Sequence, residues 1–138
     1  MVDQVVDSNV WIASFLENDQ WHQRATEFMS EFEARQHVCH LPSVVLIETC
    51  GAIAHQTQGN PIREVARVRR SFLRWEQAGL VHLYQLDQDR VSKALDTSAR
   101  LRLKGADAVI VSLAQELGDL PLKTFDREIQ GRYPNAAP

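Results

Sequence analysis

The chain has 138 residues, 44% hydrophobic and 24% charged, with a formal net charge of −3. That length suits a single domain over residues 1–138 with a real core, and the acidity argues against a general nucleic-acid binder unless clustered acids hold cations. No apolar run approaches the roughly 18–20 residues that span a bilayer, and the N-terminus has no Lys or Arg before Arg24, unlike a secretory signal.

Taken in chain order, short strand-like runs alternate with helix-like stretches. Val2 to Val6 reads as a strand ending at Asp7, after which Ser8 or Asn9 caps a helix through Trp11, Phe15 and Leu16. Trp21 to Ala34 is amphipathic, with Trp21, Ala25, Phe28, Met29 and Phe32 on one face. Val38 to Leu41 is the second strand, and Pro42-Ser43 starts a helix running to about Gln56. Cys39 and Cys50 lie in this stretch among apolar residues, without metal-site or disulfide spacing, as expected of core residues in a reducing cytoplasm.

Gly59-Asn60-Pro61 breaks the chain before a helix carrying Ile62, Val65, Val68, Phe72 and Trp75 up to Gly79. Leu80 to Leu86 reads as the third strand. Asp87 opens a helix with Val91, Ala94 and Leu95 inward, and after Lys104-Gly105 another runs from Ala106 to Leu117. Leu120 to Phe125 is the last strand, and the tail from Gly131 reads as turn. The alternation implies an α/β fold: a small, mostly parallel sheet flanked by helices.

Four acids stand at related places in this scheme. Asp7 follows the first strand and Asp126 the last; Glu48 lies in the second turn after strand two, and Asp107 in the first turn of the helix before the last strand. Right-handed βαβ units bring all four to the carboxyl edge of one sheet, where open α/β sheets place their ligands. Glu48 has no Lys or Arg at three or four residues' distance to pair with, and an isolated carboxylate on an apolar face needs a partner. Asp7, Asp107 and Asp126 also suit helix starts, a purely structural role.

The ordered segments VVDSNVWI, LIETCGAIA, KGADAVIVSLAQELG and LKTFD resemble the four motifs of the PIN domain, and the short chain resembles the VapC-type toxins of toxin–antitoxin pairs. The resemblance implies that Asp7, Glu48, Asp107 and Asp126 bind metal, with Thr124 as a supporting hydroxyl. Asn9 and Lys123 stand where the family more usually has other residues. It implies a Mg²⁺- or Mn²⁺-dependent endoribonuclease, an RNA substrate, a cognate antitoxin and a homodimer.

Carboxylates are hard ligands suited to those ions. Phosphoryl transfer asks mainly for positioning and charge neutralisation, so no side-chain nucleophile is needed; Asp107 or Asp126 would orient the attacking water. A metal-free, two-histidine ribonuclease is the chemical alternative. A housekeeping RNA-processing nuclease and a non-catalytic binding module are the biological ones. Arg63, Arg67, Arg70 and Arg74, spaced by four, three and four, form a basic stripe that grips phosphates or an acidic partner, or is simply solvated.

Overall fold

A computed structural model describes all residues, 1–138. Five parallel strands form one sheet in the order β3-β2-β1-β4-β5. In the chain they are β1 (Val2–Val6), β2 (His37–Pro42), β3 (Val81–Tyr84), β4 (Leu122–Lys123) and β5 (Ala136–Ala137). Helices α1 (Ser8–Phe15) and α2 (His22–Glu33) join β1 to β2. Helices α3 (Ser43–Gln56) and α4 (Pro61–Gln77) join β2 to β3, and α5 (Gln88–Leu101) and α6 (Gly105–Glu116) join β3 to β4. The short α7 (Arg127–Arg132) precedes β5.

Strand β1 is central, and its Val5 and Val6 point to opposite faces yet are both fully buried, as a parallel sheet covered on both sides requires. It pairs with β2 through Val5–His40 and with β4 through Val5–Leu122 and Val6–Lys123. The strand order reverses here. From β1 the chain builds outward through β2 and β3, then returns to lay β4 on the other side. The cleft between the carboxyl ends of β1 and β4 is therefore the switch point of the sheet.

Trp11 anchors the helices on one face. It is fully buried, its ring nitrogen donates to the Val6 carbonyl at 3.3 Å, and its ring meets Phe32 at 5.6 Å, Phe72 at 5.1 Å and Trp75 at 5.5 Å. One side chain thus fixes α1 against the end of β1, α2 and α4. Local signals set the helix starts: the Asn60 side chain accepts from Arg63 N ahead of Pro61, and Asp87 accepts from Arg90 N.

Several expectations shift. The third strand stops at Tyr84 because its partner β2 ends at Pro42, leaving Gln85 and Leu86 nothing to pair with. The last expected strand shrinks to Leu122–Lys123, Asp126 opens α7, and the tail beyond Gly131 holds β5, whose two residues are too short to show an alternating pattern. Asp7, rather than Ser8 or Asn9, caps α1. On α5, Ala94 is buried, but Val91 and Leu95 are 40% and 67% exposed. Their apolar stripe faces out because α6 packs against the neighbouring stripe, through Ala94 and Thr97.

Truncating Trp11 to Ala removes contacts to three elements, so unfolding in urea should show a loss of roughly 3–5 kcal/mol. A loss under about 1 kcal/mol, within the range of surface substitutions, would mean that Trp11 is not the anchor.

Candidate functional site at the carboxyl edge

Asp7 leaves β1 at the switch point and is 4% exposed. Its Oδ1 accepts from Ser8 N at 2.7 Å, which caps α1, and its Oδ2 accepts from the Thr124 hydroxyl at 2.7 Å and from Asn9 Nδ2 at 3.2 Å. Thr124 is fully buried, and its Oγ1 also accepts from Asp126 N at 3.0 Å. The backbone reinforces this join, since Asp7 N donates to the Lys123 carbonyl at 2.9 Å. Asp126 Oδ1 accepts from Glu128 N at 2.8 Å and Ile129 N at 3.3 Å, capping α7. For Asp7 and Asp126 the helix-start role is thus real, and it coexists with their place at the edge.

Glu48 and Asp107 arrive from α3 and α6. Glu48 is half-buried, and its Oε1 is buried with no hydrogen-bond partner. Leaving such an oxygen unpaired costs free energy. Burial raises its pKa, the Ser8 hydroxyl lowers it and Asp107 raises it again. Asp107 is pushed up to about 6, first by burial and then by the charges of Asp7, Asp126 and Glu128, with Lys104 opposing. Burial likewise pushes Asp7 up to about 6; the bonds from Thr124 and Ser8 hold it down, and Glu48 adds repulsion. The four expected acids therefore share one electrostatic field. They do not close on one point: no three acidic, histidine or cysteine side chains converge tightly enough to enclose an ion as they stand.

The donor set nonetheless fits a hard divalent cation. All the groups are carboxylate oxygens, one of them is buried and unpartnered, and their mutual repulsion is what a bound cation relieves. Ser8 and Asn9, expected as helix-cap candidates, instead bond within the site, Ser8 through its hydroxyl to Asp7 and Asn9 to Asp7 and Thr124, while Glu128 had no expected role. Ser8 and Asn9 adjoin Asp7 in sequence, but only the fold sets Thr124 and Glu48 beside them. Lys123 lies half-buried with its ammonium 5.3 Å from the Phe28 ring, and burial lowers its pKa. Strand β4 keeps its pairing despite the charge.

A sequence profile of the PIN domain matches residues 5–134. The chain belongs to the PIN domain family. Solved structures agree on the fold. A toxin–antitoxin complex from Klebsiella pneumoniae contains a chain that is 17% identical, with a TM-score of 0.71 and coverage of 98% of this chain and 96% of that one. Mycobacterium tuberculosis VapC20, a Sarcin-Ricin loop cleaving toxin, gives 17% identity, a TM-score of 0.73 and 92% coverage of both chains. VapBC2 from Rickettsia felis, bound to a DNA fragment from its promoter, gives 14%, 0.65, and 98% and 96%. No curated protein matches the sequence. No helix of this PIN domain is long and apolar enough to cross a membrane.

The basic stripe of the PIN domain lies exposed on α4. There Arg67 pairs with Glu64 at 2.9 Å and Arg74 donates to Ser71. Arg69, outside the stripe, borders a groove of about 470 Å³ between α3 and α4, lined by Leu46, Ile47 and Val65.

The raised acids set a stability profile. Asp107 carries a folded pKa near 6 against an ordinary 3.8. The folded state therefore binds more protons between those values, and stability falls as pH rises from about 4 to about 6. In EDTA, Asp107→Asn should flatten this fall and melt above the wild type at pH 8. An unchanged slope and a lower melting point would show that Asp107 bears no such strain.

Proposed function

We propose that this PIN domain is a Mg²⁺- or Mn²⁺-dependent endoribonuclease and the toxin of a VapBC-type pair. The observation that carries the reading is the buried, unpartnered Glu48 oxygen, within the field of Asp107, which in turn feels Asp7 and Asp126 at the strand-order reversal. Asp7, Glu48, Asp107 and Asp126 would hold the cation, and Thr124 would orient Asp7. When bound, the ion neutralises phosphate charge and acidifies a water. Asp126 Oδ1 is committed to capping α7, which leaves Asp107 the freer carboxylate to take the proton from the attacking water.

The histidines bond outside the acid cluster. His37 is tied to Gln4 and Glu31, His40 to Asp3 and Tyr84, and His22 to the Ala13 carbonyl, all at 2.6–2.8 Å, and His40 stacks on His82 at 5.2 Å. None of these partners belongs to the acid cluster. The toxin role draws on the neighbours described above, among them a Sarcin-Ricin loop cleaving toxin and two toxin–antitoxin complexes. An antitoxin segment of apolar and acidic character suits the Arg69-bordered groove.

A homodimer has its own support. Leu86, Val91 and Leu95, all exposed, line an open apolar groove of about 360 Å³ with Val44 and Ala106. On α5 the stripe runs through Val91, Leu95 and Ser98, and the helix is flanked by Asp87 at its N-cap and Arg102 at its C-cap, acidic at one end and basic at the other. Two copies packed antiparallel about a twofold axis would set each Asp87 against the other's Arg102.

Purified protein should cut RNA only with Mg²⁺ or Mn²⁺, leaving 5′-phosphate and 3′-hydroxyl ends. EDTA or Asp7→Ala should abolish cutting, and substituting the histidines singly should not. Products ending in a 2′,3′-cyclic phosphate would overturn the mechanism. Expression should arrest growth unless Asp7 is replaced; cleavage without arrest would point to a housekeeping nuclease.

Sedimentation should find the wild type dimeric at micromolar concentration and Leu95→Glu monomeric. A monomeric wild type would remove the dimer from the proposal.

A further inference from the structure

We propose that Asn9 is a positioning residue that locks the Asp7 carboxylate to the loop carrying Asp126. The structural lock stands by itself, whereas its consequence for catalysis rests on the nuclease reading.

Asn9 sits half-buried in the first turn of α1. Its Nδ2 donates to Asp7 Oδ2 at 3.2 Å and to Thr124 Oγ1 at 3.3 Å, and its Oδ1 accepts from Phe125 N at 3.2 Å. Both amide hydrogens and the carbonyl are thereby used, so the orientation of the group is fixed. Reversed, the amide would set its oxygen against a carboxylate and its NH₂ against a backbone N–H. One side chain therefore joins three points: the acid at the end of β1, the buried hydroxyl at the end of β4, and the backbone one residue before Asp126.

The contacts divide the work. Thr124 makes the short bond to Asp7, at 2.7 Å, and Ser8 N holds the other oxygen at 2.7 Å. Rotation of a carboxylate about its last bond is otherwise soft. Asn9 adds a second donor to Oδ2 from another direction, so the plane of the group is set. Because Thr124 Oγ1 also accepts from Asp126 N, a shift of Asn9 reaches both acids. Residues that orient metal-binding carboxylates in this way typically matter by ~10–100-fold.

Three readouts test the assignment: RNA cleavage at saturating Mg²⁺, calorimetric titration with Mn²⁺, and hydrogen exchange of the Phe125 amide. Asn9→Ala should lower kcat by ~10–100-fold with KM for RNA unchanged, weaken Mn²⁺ binding by a similar factor, and speed Phe125 exchange. Asn9→Asp keeps the acceptor for Phe125 N but loses both donors, so it should retain Phe125 protection and still lose kcat. Should Asn9→Ala fail to fold, Asn9→Asp and Asn9→Ser carry the kinetic test. A wild-type kcat in a folded variant lacking the donors, or a rise in KM alone, would overturn the proposal. If the wild type cuts no RNA, the nuclease reading fails by itself. Mn²⁺ affinity and Phe125 exchange in Asn9→Ala then decide the lock, and wild-type values for both would reject it.

Discussion

The pairing of β1 with β4 is the constraint on which the rest depends. Neither strand is near the other in sequence, and β4 contributes only two residues to the ladder. Yet this join places Asp7 beside Thr124, and the 2.7 Å bond between them crosses the switch point of the sheet. The backbone bond from Asp7 N to the Lys123 carbonyl and the bridge through Asn9 act on the same seam. Without it Asp126 would have no fixed relation to Asp7, and α7 and β5 would have no edge to build on.

The seam also explains how like charges are held together. Burial and mutual repulsion push Asp7 and Asp107 up to about 6, and each raised value marks free energy stored in the fold. The structure bears that strain because Asp7 and Asp126 double as helix caps, so backbone N–H groups offset part of their desolvation. Glu48 has no such help and keeps an unpartnered oxygen. A cation held among these carboxylates, as proposed above, would relieve that strain.

The outer surface follows a separate logic. The arginines of α4 are exposed, and the apolar stripe of α5 lines an open groove with Val44 and Ala106. Leu95, 67% exposed, and Ile47, 70% exposed, each line an open apolar groove.

Much was legible in the sequence. Periodicity located α2 and α4 to within a residue or two, and an apolar run or flanking break residues did the same for β1, α3 and α6. Asp87, Asn60 and Gly118 mark ends because capping and left-handed backbone are local demands. That several acids would gather at one edge followed from strand–helix order, since topology sends the ends of parallel strands there. Tertiary structure decided what local pattern cannot carry. The direction of the Val91–Leu95 stripe depended on which side α6 came to occupy, and the lengths of β3 and β4 on where their partners stop. The links from Asn9 to Thr124 and to Phe125 N join residues whose separation in the chain hides their contact. Hydrogen bonds across 115 residues leave no periodic trace, because only the packing of the whole sheet brings the two ends together.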